Sequence, residues 1–201
     1  MNELSSDIHA FPPVKGTFIY PNDKSLTYMS PYYLLDKIRL HEWVYKHMLI
    51  KEIKSICDMT CNIGCESAYW AHKKPDCKIR SYEINKETYE CAKHNLSYFK
   101  NISLYNQDSI YALNKGMSKY DLILLDAPWG ESYDKFNNTC KLEMNGTDID
   151  EIIPNIKIHT KNILLKVPRN WDHLDDYTKS NPFKVVYTRK SFYYYILISS
   201  I

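Results

Sequence analysis

The sequence lacks any apolar run of the roughly 18 to 20 residues that a membrane-spanning helix needs. Its opening stretch, MNELSSDIHAFPPVKG, also lacks the charged start and apolar centre of a secretory signal. With 201 residues, of which 44% are apolar, the chain can bury one sizeable core, and its length favours one domain over two. We therefore expect one globular unit that stays inside a cell and does not bind a membrane.

Close Cys-x-x-Cys pairs, which are typical of zinc sites, are absent as well. In an intracellular chain of this length, six cysteines are better explained as reduced thiols than as a disulfide framework. Cys57, Cys61 and Cys65 are evenly spaced, but Cys57 falls in an apolar, strand-like run. The seven histidines have no metal-binding spacing either. We expect no metal site.

A strong net charge is missing too, because the formal charge is only +2. This value is too small to indicate general binding to long nucleic acid. Residues 151–201 nevertheless contain eight Lys or Arg against four Asp or Glu, so they carry +4 and the remaining residues carry −2. Two explanations stay open: an ordinary solvated surface, or a local basic rim that faces a phosphate-bearing substrate.

The pattern of apolar residues predicts helices that alternate with strands. Residues 1–29 are rich in proline and polar residues and are expected to form an irregular arm. A helical pattern follows Ser30 and Pro31 and runs to about Met48. Beyond it, strand-like segments alternate with helical ones, namely IKSICDMTC, KIRSYEI, ISLYNQD, YDLILLDAPW and NILLKVPRN, before two closing strands. This alternation predicts an α/β fold with a parallel sheet and helices on both faces.

Four consecutive predicted strands end in an acid: Asp58, Glu83, Asp108 and Asp126. Any single acid at such a position can be a helix cap or a loop residue. Because ligands of open α/β sheets bind at the carboxyl ends of the strands, the four together suggest a ligand rich in hydroxyl and amine donors.

Glycine is scarce in the turn after the first of these strands. Only Gly64 is present where a dinucleotide-binding fold has three glycines, which argues against NAD. S-adenosylmethionine has no phosphate and fits better. Glu83 can accept hydrogen bonds from both hydroxyls of a ribose, Asp108 can receive an adenine amine, and Asn62 can take a left-handed conformation in place of glycine.

The order DMTCNIGCES, SYEIN, YNQDS, LLDAPWG, LLKVPRN resembles that of class I S-adenosylmethionine-dependent methyltransferases, and most closely the trimethylguanosine synthases. Those enzymes methylate the 2-amino group of a 7-methylguanosine cap. The resemblance extends from about Leu26 to the C-terminus. It implies a Rossmann-like, seven-stranded, mostly parallel sheet with helices on both faces and an antiparallel last strand, formed by one methyltransferase domain over residues 30–201.

The most specific motifs of this resemblance are the Asp-x-x-Cys turn, the Pro-Trp-Gly after the fourth strand and the Pro-Arg-Asn after the fifth. They imply S-adenosylmethionine as cofactor and 7-methylguanosine-capped RNA, or a cap nucleotide, as partner. The implied cofactor-binding residues are Ser30, Asp58, Cys61, Asn62, Gly64, Glu83, Ile84, Asp108 and Ser109. Arg169 and Asn170 would face the cap phosphates, and Trp129 would stack on the methylated guanine.

Asp126, Pro128 and Trp129 suggest how a purine amine is activated. The lone pair of such an amine is delocalised into the ring, so the amine must be turned toward the methyl carbon. Asp126 and a carbonyl fixed by Pro128 can accept the amine hydrogens and hold that geometry, which assigns a catalytic role to both residues and to Trp129 beneath the base. Trp43, Trp70 and Trp171 fall in helical patterns and are expected to lie in the core or at an interface and not to bind a ligand.

The chain departs from the family pattern at two positions. It has Asp126-Ala127-Pro128-Trp129 where the family has Ser-Pro-Pro-Trp, and Glu131 where the family has a glycine. Asp126 is more similar to the Asp-Pro-Pro-aromatic motif of enzymes that methylate amines of adenine or guanine within longer RNA or DNA, which is one alternative. An inactive methyltransferase fold that only binds a nucleotide or a protein is another, because the first turn has lost glycines.

Overall fold

The computed structural model describes residues 2–3, 18–21, 34–48, 52–130, 139–179, 184–187 and 193–199. The helices are α1 (Leu34–His47), α2 (Cys65–Lys73), α3 (Lys86–Leu96), α4 (Ser109–Asn114), α5 (Ile149–Lys157) and α6 (Leu174–Lys179). The strands are β1 (Asn2–Glu3), β2 (Ile19–Tyr20), β3 (Ser55–Asp58), β4 (Lys78–Glu83), β5 (Ile102–Asn106), β6 (Leu122–Leu125), β7 (Glu143–Met144), β8 (Thr147–Asp148), β9 (Asn162–Pro168), β10 (Lys184–Tyr187) and β11 (Tyr193–Ser199).

Seven of these strands form one sheet in the order β10-β11-β9-β6-β3-β4-β5. The pairs from β9 to β5 are parallel, whereas β11 is antiparallel to both of its neighbours. The predicted mostly parallel sheet with an antiparallel last strand is therefore confirmed. Since β3 lies beside β4 on one side and β6 on the other, the strand order reverses at β3, and such a reversal creates a crevice at the carboxyl ends of the strands.

The central strands β6, β9 and β11 bury side chains on both faces of the sheet, because successive side chains of a strand point in opposite directions. In β6, Ile123 and Leu125 pack into a cluster on one face, and Leu122 and Leu124 pack into a cluster on the other. Strands β9 and β11 divide their side chains in the same way. All seven residues of β9 are buried, which makes any charged side chain in that strand a buried charge.

A short hairpin, β7–β8, was not predicted from the sequence. Met144 pairs with Thr147, so Asn145 and Gly146 form a two-residue loop, with φ angles of 52° and 74°. Two positive φ angles in succession define the turn that suits the twist of a hairpin, and Asn-Gly is the pair that adopts it most readily. The Asn-Gly dipeptide was therefore a sequence signal for this hairpin.

The N-terminal arm differs from the expected irregular structure where it is described. Strands β1 and β2 pair antiparallel, and Phe18 is buried. The side chain of Asn95 in α3 explains the position of β2, because its Oδ1 accepts from the Ile19 N–H at 2.8 Å and its Nδ2 donates to the Ile19 carbonyl at 2.9 Å.

All six cysteines are buried and free, as the sequence predicted. Among the residues that the structure describes, no group of three or more His, Cys, Asp or Glu side chains is arranged to hold a metal ion. Within the same residues, the helices are all too short or too polar to cross a membrane.

Candidate active site

A pocket lies at the carboxyl ends of β3, β6 and β9 and holds about 470 Å³, its open mouth included. Its lining combines the turn after β3 with apolar side chains of β6, β9 and β11. The charged side chains among the described lining residues are Asp58, Glu66, Asp126 and Lys166. Three carboxyl groups and one ammonium group therefore meet in one crevice.

Strand register explains why these groups meet. Asp58 pairs with Leu124 across β3 and β6, and Leu125 pairs with Leu165 across β6 and β9. The residues one step further along β6 and β9 are Asp126 and Lys166, which therefore lie side by side. Parallel strands bring their carboxyl ends to the same edge of a sheet, so acids far apart in the sequence become neighbours.

Asp58 is the most deeply buried of the acids, with 2% of its surface exposed. Its Oδ2 accepts from Ser67 Oγ at 2.6 Å, and its Oδ1 accepts from the Thr60 N–H at 3.2 Å. Burial, with a smaller contribution from the nearby charges of Glu66 and Asp126, raises the pKa of this carboxyl to about 7, although the two hydrogen bonds lower it. Asp58 can thus change protonation near neutral pH.

The turn after β3 replaces a glycine-rich loop with two specialised residues. Asn62 has a φ of 49°, the left-handed conformation expected from the sequence. Gly64 has a φ of 95°, and a Cβ at that position would lie 2.7 Å from Leu96 Cγ. Only glycine both adopts this positive φ without strain and has no Cβ to collide with Leu96. Gly64 therefore allows the close packing of this turn against α3. Cys61, 3% exposed, is held by its N–H to the Tyr82 carbonyl at 2.9 Å.

Glu83 is the last residue of β4 and Ile84 follows it; both lie outside the pocket lining. Glu83 Oε1 accepts from the Asn85 N–H at 2.8 Å. Burial raises the pKa of Glu83, while the N–H groups of Asn85, Asn62 and Ile84 act in the opposite direction. Ile84 is 66% exposed, an apolar surface directly beside an acid.

Asp108 and Ser109 follow β5 and begin α4. Asp108 Oδ1 caps the helix by accepting from the Ile110 N–H at 2.8 Å, and its Oδ2 accepts from Asn145 Nδ2 at 3.2 Å. The turn of the β7–β8 hairpin therefore touches a predicted cofactor residue. Ser109 is 3% exposed, so its side chain lies inside the fold.

Asp126 is held from two directions. Its N–H donates to Thr60 Oγ1 at 2.8 Å, and its Oδ2 accepts from Lys166 Nζ at 2.6 Å. A quarter of the Asp126 side chain is exposed, against 5% for Lys166. Burial raises the pKa of Asp126, Lys166 opposes this change and Glu66 adds to it.

Trp129 is partly buried, whereas Pro128 before it is exposed. The indole packs against the apolar cluster that contains Leu125, and its ring centre lies 6.2 Å from that of Tyr193. Lys166 Nζ lies 5.3 Å from the indole centre. Trp129 is thus close to the pocket and not enclosed in the core, unlike Trp70 and Trp171, which are 0% and 3% exposed.

Arg169 and Asn170 follow β9. Arg169 is exposed, and its guanidinium carbon lies 5.8 Å from the centre of the Tyr194 ring. The Asn170 carbonyl accepts from the Cys140 N–H at 2.7 Å, and Cys140 Sγ lies 3.4 Å from the Trp129 carbonyl. Cys140 therefore ties the segment after β6 to the segment after β9.

The structure brings together part of the predicted site. Asp58, Cys61, Asn62 and Asp126 line the pocket. Glu83, Ile84, Asp108, Pro128, Trp129, Arg169 and Asn170 lie at adjacent strand ends outside this lining. Ser30 lies outside the described residues.

Sequence reasoning missed most of the other lining residues, among them the polar Thr60, Glu66 and Lys166. Thr60 and Glu66 could have been suspected, since both belong to the turn and first helical residues that follow β3. Nothing in the local pattern marked Lys166.

Solved structures with similar folds include methyltransferases of several kinds. A putative RNA methyltransferase from Pyrococcus horikoshii matches with a TM-score of 0.58 and 15% identity, over 97% of this chain and 96% of that one. A putative methyltransferase from Streptococcus mutans, solved with SAH, gives a TM-score of 0.55 and 14% identity, over 82% of this chain and 97% of that one. The 16S rRNA N2 methyltransferase of T. thermophilus, solved with AdoMet and guanosine, gives a TM-score of 0.57 and 10% identity, over 90% of this chain and 44% of that one.

The comparison with protein families gives a more specific match than the comparison of folds. The family described as RNA cap guanine-N2 methyltransferase matches residues 53–194, which is more than half of the chain. No curated protein matches the sequence.

Proposed function

Because the chain belongs to the RNA cap guanine-N2 methyltransferase family, we propose that it methylates the 2-amino group of 7-methylguanosine in an RNA cap. The protein is a methyltransferase, and S-adenosylmethionine is its methyl donor. When bound, this cofactor supplies a methyl carbon activated by a sulfonium group. The observation that carries the proposal is the position of Asp126, which faces the pocket beside the partly exposed indole of Trp129.

The described residues fit this cofactor. The turn with Asn62 and Gly64 offers no series of glycines for a pyrophosphate, and S-adenosylmethionine has none. Three carboxyl groups against one ammonium group favour a ligand with positive charge, and both the amino and the sulfonium groups of the cofactor are positive. We assign Glu83 to the ribose hydroxyls and exposed Ile84 to the adenine ring.

We assign Asp108 to the adenine amine, although both of its oxygens already accept hydrogen bonds. Each carboxylate oxygen can accept more than one hydrogen bond, so the assignment is compatible with the contact to Asn145. Ser109, whose side chain is buried, would contribute through its backbone.

Asp126 acts on the substrate amine by orientation. The purine amine shares its lone pair with the ring and is a weak nucleophile until its hydrogens are fixed. The Asp126 carboxylate and a carbonyl of the Ala127-Pro128 segment accept these hydrogens, which turns the nitrogen toward the methyl carbon and supports the charge that develops on it. Asp126 does not need to be a strong base, because a methylated amine loses its extra proton readily.

Trp129 selects the base. A 7-methylguanine ring carries a positive charge, and its stacking on indole gains about 0.5 to 2 kcal/mol over a neutral ring. This gain corresponds to roughly a 2- to 30-fold preference in binding. Arg169, exposed after β9, is assigned to the cap phosphates together with Asn170.

A second candidate is methylation of a guanine amine within longer RNA. Asp126 at the first position of its motif favours it, and the T. thermophilus enzyme with a similar fold is an rRNA N2 methyltransferase. An enzyme of that kind has to extract the base from its stack, which costs energy that a cap guanine does not require.

Trp129→Ala tests the proposed function. We expect turnover of a 7-methylated cap dinucleotide to fall at least about 100-fold, because the base loses its stacking surface. Cofactor affinity should stay within about threefold of wild type, since the indole is assigned to the base alone. Trp129→Phe is the matched control and should retain part of the activity. Methyl transfer is followed by mass spectrometry, and affinity for S-adenosylhomocysteine by calorimetry; a large loss of that affinity in Trp129→Ala would contradict the assignment.

A further inference from the structure

We propose that Lys166 is a positioning residue for the methyl transfer, because its ammonium group fixes the Asp126 carboxylate between the pocket and two aromatic rings. This inference rests on the proposed function for the reaction that it serves. It concerns a residue in the middle of a strand, to which the sequence analysis assigned no role.

The fold forces Lys166 and Asp126 together. Leu125 pairs with Leu165, so the next residues of β6 and β9 are neighbours. On its other side Lys166 pairs with Tyr195 of β11, which closes the strand against solvent. The Lys166 side chain is only 5% exposed, so its ammonium group is largely shielded from solvent.

A buried ammonium group is costly unless charged or polarisable partners replace its water. Lys166 has three such partners at short range. Asp126 Oδ2 lies 2.6 Å away, and the ring centres of Trp129 and Tyr193 lie 5.3 and 5.1 Å from Nζ. One carboxylate and two ring faces hold the flexible lysine side chain in a single place, and Lys166 in turn holds the carboxylate and the indole at a fixed separation.

The arrangement leaves one carboxylate oxygen for the substrate. Lys166 occupies Oδ2 of Asp126, and no described residue donates a hydrogen bond to Oδ1. The backbone of Asp126 is fixed separately by Thr60. Because the carboxylate cannot rotate without breaking its bond to Lys166, Oδ1 presents a constant acceptor to an amine hydrogen at the mouth of the pocket.

Lys166 also controls whether Asp126 is ionised. The titratable groups around Asp126 are Lys166 of β9, Glu66 of α2, Asp58 of β3 and the tyrosines Tyr193 and Tyr195 of β11. Burial and Glu66 raise the pKa of Asp126, and Lys166 lowers it. Without Lys166, the folded Asp126 would keep its proton to a higher pH, and its carboxyl group would no longer be fixed.

Lys166→Met and Lys166→Arg test this role in the full-length protein. Methionine has nearly the same length without the charge, and arginine keeps the charge. We expect Lys166→Met to lose at least about tenfold in kcat for a 7-methylated cap dinucleotide at pH 7, with the acid limb of its pH profile moved to higher pH. Lys166→Arg should restore the position of that limb. Equal acid limbs in wild type and Lys166→Met would overturn the inference.

A spectroscopic readout makes the test independent of the substrate. The carboxyl carbon of Asp126 is titrated by carbon-13 NMR in wild type and Lys166→Met, and Asp126→Asn identifies the signal. We expect the midpoint to rise in Lys166→Met, and the kcat loss of Lys166→Met to disappear in the Asp126→Asn background. An unshifted midpoint overturns the inference for any substrate. Wild-type protein that is inactive on the cap dinucleotide would instead overturn the proposed function, and the midpoint would still decide the inference.

Discussion

Asp58 carries a high electrostatic cost, since its carboxyl is 2% exposed and lies near two further acids. Burial raises its pKa from 3.8 to about 7, so the folded protein holds a proton that the unfolded chain has lost above pH 4. Because the folded state binds more protons than the unfolded state in this range, the free energy of unfolding decreases as pH rises between about 4 and 7. The decrease ends above the pKa of Asp58 in the folded protein. This group alone contributes a loss of roughly 1.4 kcal/mol per pH unit within that window.

Asp58→Asn is therefore expected to be less dependent on pH than the wild type. Its amide is neutral at every pH and has nearly the shape of the protonated acid, so it avoids the cost of burying a charge. The free energy of unfolding of both proteins is measured by urea denaturation from pH 5 to pH 8. We expect the wild type to lose stability relative to Asp58→Asn as pH rises, and parallel curves would contradict the raised pKa.

Among the described glycines, Gly64, between β3 and α2, has the tightest surroundings. Its φ is 95°, and an added Cβ would lie 2.7 to 2.9 Å from three carbons of the Leu96 side chain in α3. Gly64→Ala should lose about 1 to 3 kcal/mol from overpacking in addition to about 1 kcal/mol from the left-handed backbone. Urea denaturation measures the sum.

Gly116→Ala is the matched control for this prediction. Gly116 has a φ of 82°, but nothing lies within 4 Å of an added Cβ. The control should therefore lose only the backbone contribution, about 1 kcal/mol. If both variants lost equal stability, the contact with Leu96 would have no energetic role.

The order of elements was largely predictable, because their patterns are local. Alternating apolar segments identified β3, β4, β5, β6 and β9, and parallel pairing then placed Asp58 and Asp126 at one edge of the sheet. Asn62 was likewise expected to adopt a left-handed conformation, because asparagine tolerates it better than most residues.

The part of the site that could not be predicted depends on the register between strands that are distant in the sequence. Lys166 occurs in an apolar strand, and its partner Asp126 is 40 residues away in the sequence. Only the pairing of Leu125 with Leu165 brings the two together. The sequence around a single lysine in an apolar strand does not show whether its ammonium group is buried, because a lysine in the same sequence could also extend its side chain to water. The β7–β8 hairpin was missed for the opposite reason: its signal, Asn145-Gly146, was local but lay inside a polar segment.

At the scale of the whole molecule, the chain combines a parallel sheet with a pocket at the point where the strand order reverses. Its net charge of +2 is small, so affinity for long RNA is not expected to come from a general electrostatic field. Recognition should instead rest on a few groups around one base: Asp126 and Lys166 beneath the amine, Trp129 under the ring and Arg169 beyond it. A small cap nucleotide would then contain most of what the site recognises.

The most direct test is mass spectrometry of a 7-methylated cap dinucleotide incubated with the protein and isotopically labelled S-adenosylmethionine. We predict labelled methyl on the 2-amino group of the 7-methylguanine, and a 2- to 30-fold weaker reaction with the dinucleotide that lacks the 7-methyl group, from the cation–π gain of about 0.5 to 2 kcal/mol. Label that appeared only in longer RNA or DNA, with both dinucleotides unmodified, would contradict the account.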